Sequence, residues 1–270
     1  MFKDIIIGQY VPGNSPLHRI APPFKIILII LYIVLLFIIN KPFSYVIFTI
    51  YSAALIIISA VPLKMILKGI RPMLWILVLT AIMNLLMTPG EAVLSIPIFS
   101  WTLNITKEGI EAGCIMAVRL LYLIIGTSFL TLTTSPLQLT DGIEKLLKPL
   151  NKIKVPSHEI AMMMTIAIRF IPTLAEETDK IMKAQTARGA DFETGNIIKR
   201  ARAMMPLLVP LFVSAFRRAD ELATAMEARC YRGGTNRTKM TQSHMTLLDL
   251  KAGIIFAVAA AALILAEFWV

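Results

Sequence analysis

Five stretches of this chain are long and apolar enough to belong in lipid: Phe24 to Asn40, Phe43 to Ala60, Met73 to Met87, Ile110 to Thr134 and Leu247 to Val270. A bilayer core takes about 20 predominantly apolar residues per helix. Backbone in lipid must also satisfy its polar groups internally, which leaves helices or closed barrels. The runs therefore predict an all-α integral membrane protein with about five transmembrane helices. Composition agrees, since 57% of the 270 residues are hydrophobic and only 16% charged, against about 25% charged in a soluble domain. This excludes intrinsic disorder. The first run is not a cleaved signal peptide, because no small-residue cleavage site follows it and Lys41-Pro42 leads straight into the next.

Orientation follows from the basic residues of the short connections. Lys3, Arg19 and Lys25 precede or open the first run, and Lys64, Lys68 and Arg71 lie between the second and third, whereas Pro89 to Glu108 carries only Lys107 beside two glutamates. Both basic connections are expected in the cytoplasm, with Lys41 as the one discordant charge. Five spans that start inside place the C-terminus outside. Three parts follow: residues 1–134 with the N-terminal arm and four spans, 135–245 as a cytoplasmic or interfacial bundle of amphipathic helices, and 246–270 as the last span.

The middle part holds most of the net positive charge of +10. Ser135-Pro136-Leu137-Gln138 reads as an N-cap, a proline at the first helical position and a capping-box acceptor, followed by Ile143, Leu146, Leu147 and Leu150 at helical spacing. Pro156-Ser157-His158-Glu159 opens a long helix, kinked at Pro172, that should stop near Gly189. Met204 to Phe216 is a second apolar stretch, broken by Pro206 and Pro210 and then turning charged at Arg217-Arg218. It reads as a helix lying in the interface or packed against the other amphipathic helices, its basic residues facing anionic headgroups, with a sixth span as the alternative.

One pattern occurs twice. Ala184-Gln185-Thr186-Ala187-Arg188-Gly189 and Ala225-Met226-Glu227-Ala228-Arg229-Cys230 superpose, with Asp179 and Asp220 in register upstream. Arginine near a helix C-terminus meets the negative end of the macrodipole, and glycine beyond it suits a left-handed cap. Two capped helix ends would account for this. Duplication also suits two cationic tips docked in two similar grooves, where a guanidinium makes bidentate bonds.

With Gly8-Gln9-Tyr10-Val11-Pro12-Gly13-Asn14-Ser15, Leu17-His18-Arg19, Thr133-Thr134-Ser135-Pro136 and Arg169-Phe170-Ile171-Pro172, these tips give a chain that resembles the T component of energy-coupling factor transporters. These are ABC-type importers of vitamins and transition-metal ions in prokaryotes, and the T component is their membrane-embedded scaffold. The resemblance implies that Ala187-Arg188-Gly189 and Ala228-Arg229-Cys230 bind two cytoplasmic ATPase subunits, each arginine entering one groove. It also implies a substrate-binding membrane subunit as partner, for which Ile143, Leu146, Leu147, Leu150, Met204, Leu207, Leu208 and Leu211 are the expected docking face. Fifteen methionines, Met162-Met163-Met164 and Met204-Met205 among them, suit a surface that repacks against interchangeable partners. Cys230, where the first copy has Gly189, is a departure that could alter the second cap.

No phosphate loop, nucleophile elbow or H-E-x-x-H pair occurs. The chain is thus expected to be non-catalytic, to bind no cofactor, metal or nucleic acid, and to depend on ATP and magnesium used by partner chains. Arg119, inside the fourth run with Glu111 two turns earlier, is costly in hydrocarbon and is expected to bond carbonyls of neighbouring helices or to snorkel, with a role in transport as the alternative; Arg169 reads as an interfacial anchor. A self-contained secondary transporter and an enzyme acting on a phosphorylated lipid are the competing functions.

Overall fold

The computed structural model describes residues 10–98, 101–192, 196–233 and 245–269. Gly8, Gln9, Lys3 and Gly234 lie outside them. The described residues form two compact units, one of 10–142 with 245–269 and one of 143–233.

The first unit begins with a short helix α1 (Pro16–Arg19), then α2 (Pro22–Ile38) and α3 (Pro42–Ser59), each with proline in its first turn, where the missing N–H costs nothing. Next come α4 (Leu63–Ile70), a 3-10 turn (Arg71–Met73) and α5 (Leu74–Met87). A hairpin of β1 (Ala92–Ile98) and β2 (Trp101–Thr106) leads to α6 (Lys107–Thr133). After α7 (Pro136–Leu147), within which the two units divide, the unit is completed by α10 (Leu247–Trp269).

Among the described residues, four helical segments are long and apolar enough to cross a membrane: Pro42–Ser59, Leu63–Met87, Lys107–Thr133 and Leu247–Trp269. The first expected span is shorter. α2 has 17 residues, about 26 Å of helix against roughly 30 Å of hydrocarbon. The basic connection before the third span is itself helical, because Ile66 and Ile70 repeat at helical spacing and are buried while Lys64, Lys68 and Arg71 are exposed. The hairpin, antiparallel with Ile98 opposite Trp101, is an element that the helical reading of the sequence did not contain. It is the only strand structure among the described residues, and the architecture is otherwise all-α.

The core of this unit is aromatic. Phe48 is fully buried, its ring centroid 4.9 Å from that of Tyr32 and 5.2 Å from that of Tyr122. Tyr32 Oη donates to the Tyr122 carbonyl at 3.2 Å, so a buried hydroxyl is satisfied where water is absent. α5 and α6 approach through Gly109 and Gly113, where a Cβ would stand 3.0 Å from the Leu85 carbonyl oxygen and 3.2 Å from that of Ala81. This is the small-xxx-small packing of membrane helices. Outward faces remain apolar, with Ile57 79% and Trp75 75% exposed, an arrangement that water would penalise and lipid does not.

Four buried or half-buried ionic groups join distant parts of the unit. Lys25, 4% exposed, donates from Nζ to the Thr133 carbonyl at 3.0 Å and to the hydroxyls of Thr133 and Thr134 at 3.3 and 3.0 Å, at the negative end of α6. Asp249 accepts from the backbone N–H groups of Ala21 at 2.8 Å and Thr246 at 2.7 Å, capping the starts of α2 and α10. Arg119 answers the expectation placed on it. Its guanidinium donates to the Ile39 carbonyl at 2.7 Å, Asn40 Oδ1 at 2.9 Å and Tyr45 Oη at 3.1 Å. From the other side of the same turn, Glu267 accepts from the N–H groups of Asn40 and Lys41 and from Ser44 Oγ, the last at 2.8 Å. The α2–α3 turn thus has a cation on its carbonyl end and an anion on its amide end.

The second unit consists of the end of α7, a 3-10 segment (Lys148–Ile153), α8 (Ser157–Ala187) and α9 (Ile197–Ala228). The capping box forms as expected, with Gln138 N–H donating to Ser135 Oγ at 3.3 Å and Ser135 N–H to Gln138 Oε1 at 3.1 Å. Pro149 removes the donor that would continue α7, so Leu150 lies in the 3-10 segment rather than in the α-helical stripe of Ile143, Leu146 and Leu147. α8 continues through Pro172 and ends at the predicted place. α9 corrects the sequence reading: 204–216 is not a separate helix but the middle of one 32-residue helix. Pro206 and Pro210 stand four apart, so the N–H that Pro210 lacks is the one that would have paired with the carbonyl of Pro206 itself. Both defects fall on one side of the helix and leave the remaining ladder intact.

Candidate functional site: two helix tips and the pair between them

The two Ala-Arg tips have the same backbone. At the end of α8, Gly189 N–H donates to the Thr186 carbonyl at 2.9 Å and Ala190 N–H to that of Gln185 at 3.0 Å. At the end of α9, Cys230 N–H donates to the Glu227 carbonyl at 2.8 Å and Tyr231 N–H to that of Met226 at 3.0 Å. This paired pattern is a Schellman cap, which requires a left-handed residue just past the last helical turn. Gly189 supplies it at φ +89° and Cys230 at φ +56°. The substitution of cysteine for glycine therefore leaves the cap geometry in place. Backbone hydrogen bonds hold the second tip in the left-handed region although a side chain there is disfavoured.

Ala187, Arg188 and Gly189 are exposed, as are Ala228, Arg229 and Cys230. Among the described residues neither guanidinium has a hydrogen-bond or ion-pair partner. Each tip thus offers a forked donor beside a small alanine, so a carboxylate or a row of helix-end carbonyls could be bound bidentately without obstruction.

Ten residues before each helix ends, Arg218 Nη2 of α9 donates to Glu177 Oε2 of α8 at 2.5 Å. The Arg218 hydrogen bond holds the Glu177 carboxyl below the ordinary carboxylate range. Glu144 and His158, at 3.1 Å, tie α7 to the first turn of α8. The Ser157 N–H that opens α8 donates to Asn151 Oδ1 at 3.3 Å.

The apolar set expected to form a docking face divides. Met204 and Leu208 are exposed; Ile143, Leu146, Leu147 and Leu211 are half-buried, and Leu150 is 38% exposed. Leu207 is buried and so belongs to the chain's own packing. The open stripe of α9 instead includes Met205, Val209, Phe212 and Phe216, at i, i+4, i+7 and i+11, all exposed. Their spacing was the available signal, and a reading that stopped helices at proline obscured it. Arg169 is exposed on α8.

The N-terminal motif is structural. His18 Nδ1 lies 2.6 Å from Ser15 Oγ, and its Nε2 donates to the Val11 carbonyl at 3.0 Å, while Val11 N–H donates to the Leu132 carbonyl at 3.0 Å. The arm is thereby fastened to the end of α6. Among the described residues no group of three or more His, Cys, Asp or Glu side chains converges as a metal site.

Sequence comparison places these features among known proteins. The family profile described as CbiQ, cobalt transport protein, matches residues 13–240. The chain is 53% identical to the energy-coupling factor transporter transmembrane protein EcfT of Clostridium kluyveri over all 270 residues, covering 99% of that protein. It is 54% identical to the protein of the same name from Thermosediminibacter oceani, with 98% of this chain and 99% of that one covered. The Bacillus subtilis protein of that name is 46% identical over 97% of this chain and 98% of its own length.

Proposed function

Since the chain belongs to the family of energy-coupling factor transporter transmembrane proteins, we propose that it is the membrane scaffold of a vitamin or transition-metal importer. It passes the motion of two cytoplasmic ATPase subunits to a substrate-binding membrane subunit. The observation that carries this reading is the pair of matching caps, each presenting an exposed arginine without a partner among the described residues. Arg188 and Arg229 each enter a groove of one ATPase, flanked by Ala187 and Gly189 in one tip and Ala228 and Cys230 in the other. The chain itself is not an enzyme; ATP and magnesium are used in the partner subunits.

In this reading the N-terminal arm and residues 135–245 face the cytoplasm and the C-terminus faces outside, an orientation supported by the basic residues of the arm and of α4. Substrate-subunit docking falls to the apolar surface of Ile143, Leu146, Leu147, Leu150, Met204, Leu208 and Leu211, extended by Met205, Val209, Phe212 and Phe216. Leu207 serves as packing beneath it. When the ATPases close on ATP, their grooves move, and the rigid caps convert groove displacement into displacement of α8 and α9. Such a shift is driven only if tips and grooves interact with different free energy in the open and closed states.

The test is co-purification and uptake in reconstituted vesicles. Arg188→Ala and Arg229→Ala should each impair ATPase association or coupled uptake, and lysine should rescue incompletely because it lacks the planar fork. Normal assembly and uptake by the double alanine variant would eliminate the role. Autonomous solute flux by the chain alone would favour a secondary transporter instead.

A further inference from the structure

Arg188 and Arg229 are 41 residues apart, as are Ala187 and Ala228, Gly189 and Cys230, and Asp179 and Asp220. Glu177 and Arg218, the ion pair between α8 and α9, are separated by the same 41 residues. The two copies of the repeat therefore touch through equivalent positions. Contact of a position with its own equivalent is the signature of a self-complementary two-fold arrangement, here within one chain. Each arm beyond the contact has the same length: Arg188 lies 11 residues past Glu177 and Arg229 lies 11 past Arg218, roughly 16 Å of helix apiece.

A residue that meets its own equivalent would repel it if both copies carried the same charge. The chain avoids this by making the copies opposite, with Glu176-Glu177 in the first and Arg217-Arg218 in the second. Moving the contact point on α9 one turn toward the C-terminus of that helix would set Glu177 against Glu221, and the same move on α8 would set Arg218 against Lys180. The charges thus oppose a slip in that direction. Both side chains are about a third exposed, so the pair adds little to fold stability and acts mainly on alignment.

We propose that Glu177 and Arg218 are a positioning pair, the pivot at which the two coupling arms meet, and that they hold both arginine tips at equal reach from one local axis. This rests on the proposed role of the tips but concerns different residues. Because the positions are equivalent, the pivot should tolerate exchange of its charges.

The experiment places spin labels at two equivalent exposed sites near the tips, Ala184→Cys and Ala225→Cys. The background is the full chain with Cys114→Ser and Cys230→Gly, in lipid nanodiscs without partners. The parent should give one narrow distance population. Arg218→Glu should broaden it or shift it by about one helical turn, roughly 5 Å, and Arg218→Gln should do so less. The exchange Glu177→Arg with Arg218→Glu should restore the parent distance. In vesicles with the ATPases and substrate subunit, Arg218→Glu should lower coupled uptake about two- to fivefold, and the exchange should recover it. Unchanged distances in Arg218→Glu, failure of the exchange to restore them, or full uptake by Arg218→Glu would each overturn the proposal. Failure of the scaffold reading would be seen separately, as normal uptake when Arg188 and Arg229 are both alanine.

Discussion

Replacing Gly189 by alanine isolates the conformational cost of the first tip. Nothing lies within 4 Å of a Cβ built on Gly189, and its φ is +89°, so the substitution meets no neighbour and only the backbone resists. A left-handed L-residue costs about 1–2 kcal/mol. Alanine also narrows the unfolded ensemble, which returns about 0.4–1 kcal/mol. The net loss is therefore roughly 0–1.6 kcal/mol, centred near 0.8 kcal/mol, or about a fourfold shift toward an open cap. Hydrogen exchange reads it at the Ala190 amide, whose bond to the Gln185 carbonyl closes the motif; its protection should fall by that factor. Gly189→Asn should lose less, because asparagine tolerates the left-handed region. At the second tip Cys230 already bears this cost, so Cys230→Gly should raise protection of the Tyr231 amide, by an amount of the same order. Unchanged protection in Gly189→Ala, or a larger loss with asparagine than with alanine, would refute the reasoning.

Arg119→Leu strips the Ile39 carbonyl, Asn40 and Tyr45 of their charged donor and should destabilise the protein by about 1.5–3 kcal/mol, seen as a lower thermal midpoint in detergent. Gly113→Leu drives a side chain toward the Ala81 carbonyl oxygen and should separate α5 from α6; a cysteine cross-link between those helices would lose efficiency. The Glu177 carboxyl is depressed below its usual 4.5, so its pairing with Arg218 is fully present above about pH 4.5 and is lost as pH falls through the lower folded-state value. Spin-label distances between α8 and α9 should accordingly hold at pH 5 and broaden only well below pH 4.5, whereas broadening between pH 7 and 5 would contradict the assignment.

Features encoded by neighbours in sequence were legible. The capping box at Ser135 and Gln138, the stop of α8 near Gly189 and the duplicated tips depend on residues within one or two turns of each other. Arg119 was recognisable as a costly ion needing carbonyl partners, but Ile39 is 80 residues away and no local pattern names it. Lys25, Glu267 and the bond from Ala21 to Asp249 were hidden for the same reason, as these partners are more than 100 residues distant, although the cap that Asp249 gives Thr246 is local. Pro206 and Pro210 misled because proline weakens a helix locally while packing of a 32-residue amphipathic element sustains it. The outer stripe of α9 was lost with that helix. Lys64, Lys68 and Arg71 were read as a connection because charge outweighed the helical spacing of Ile66 and Ile70.

Lys25 leads two lives. In the proposed orientation, cations before the first span help keep that end on the side of synthesis while the chain is being threaded into the bilayer. In the finished protein the same ammonium is withdrawn from water and riveted to the last turn of α6. One side chain can thus act as an address label early and as a fastener later, and a neutral replacement would disturb two events well separated in time.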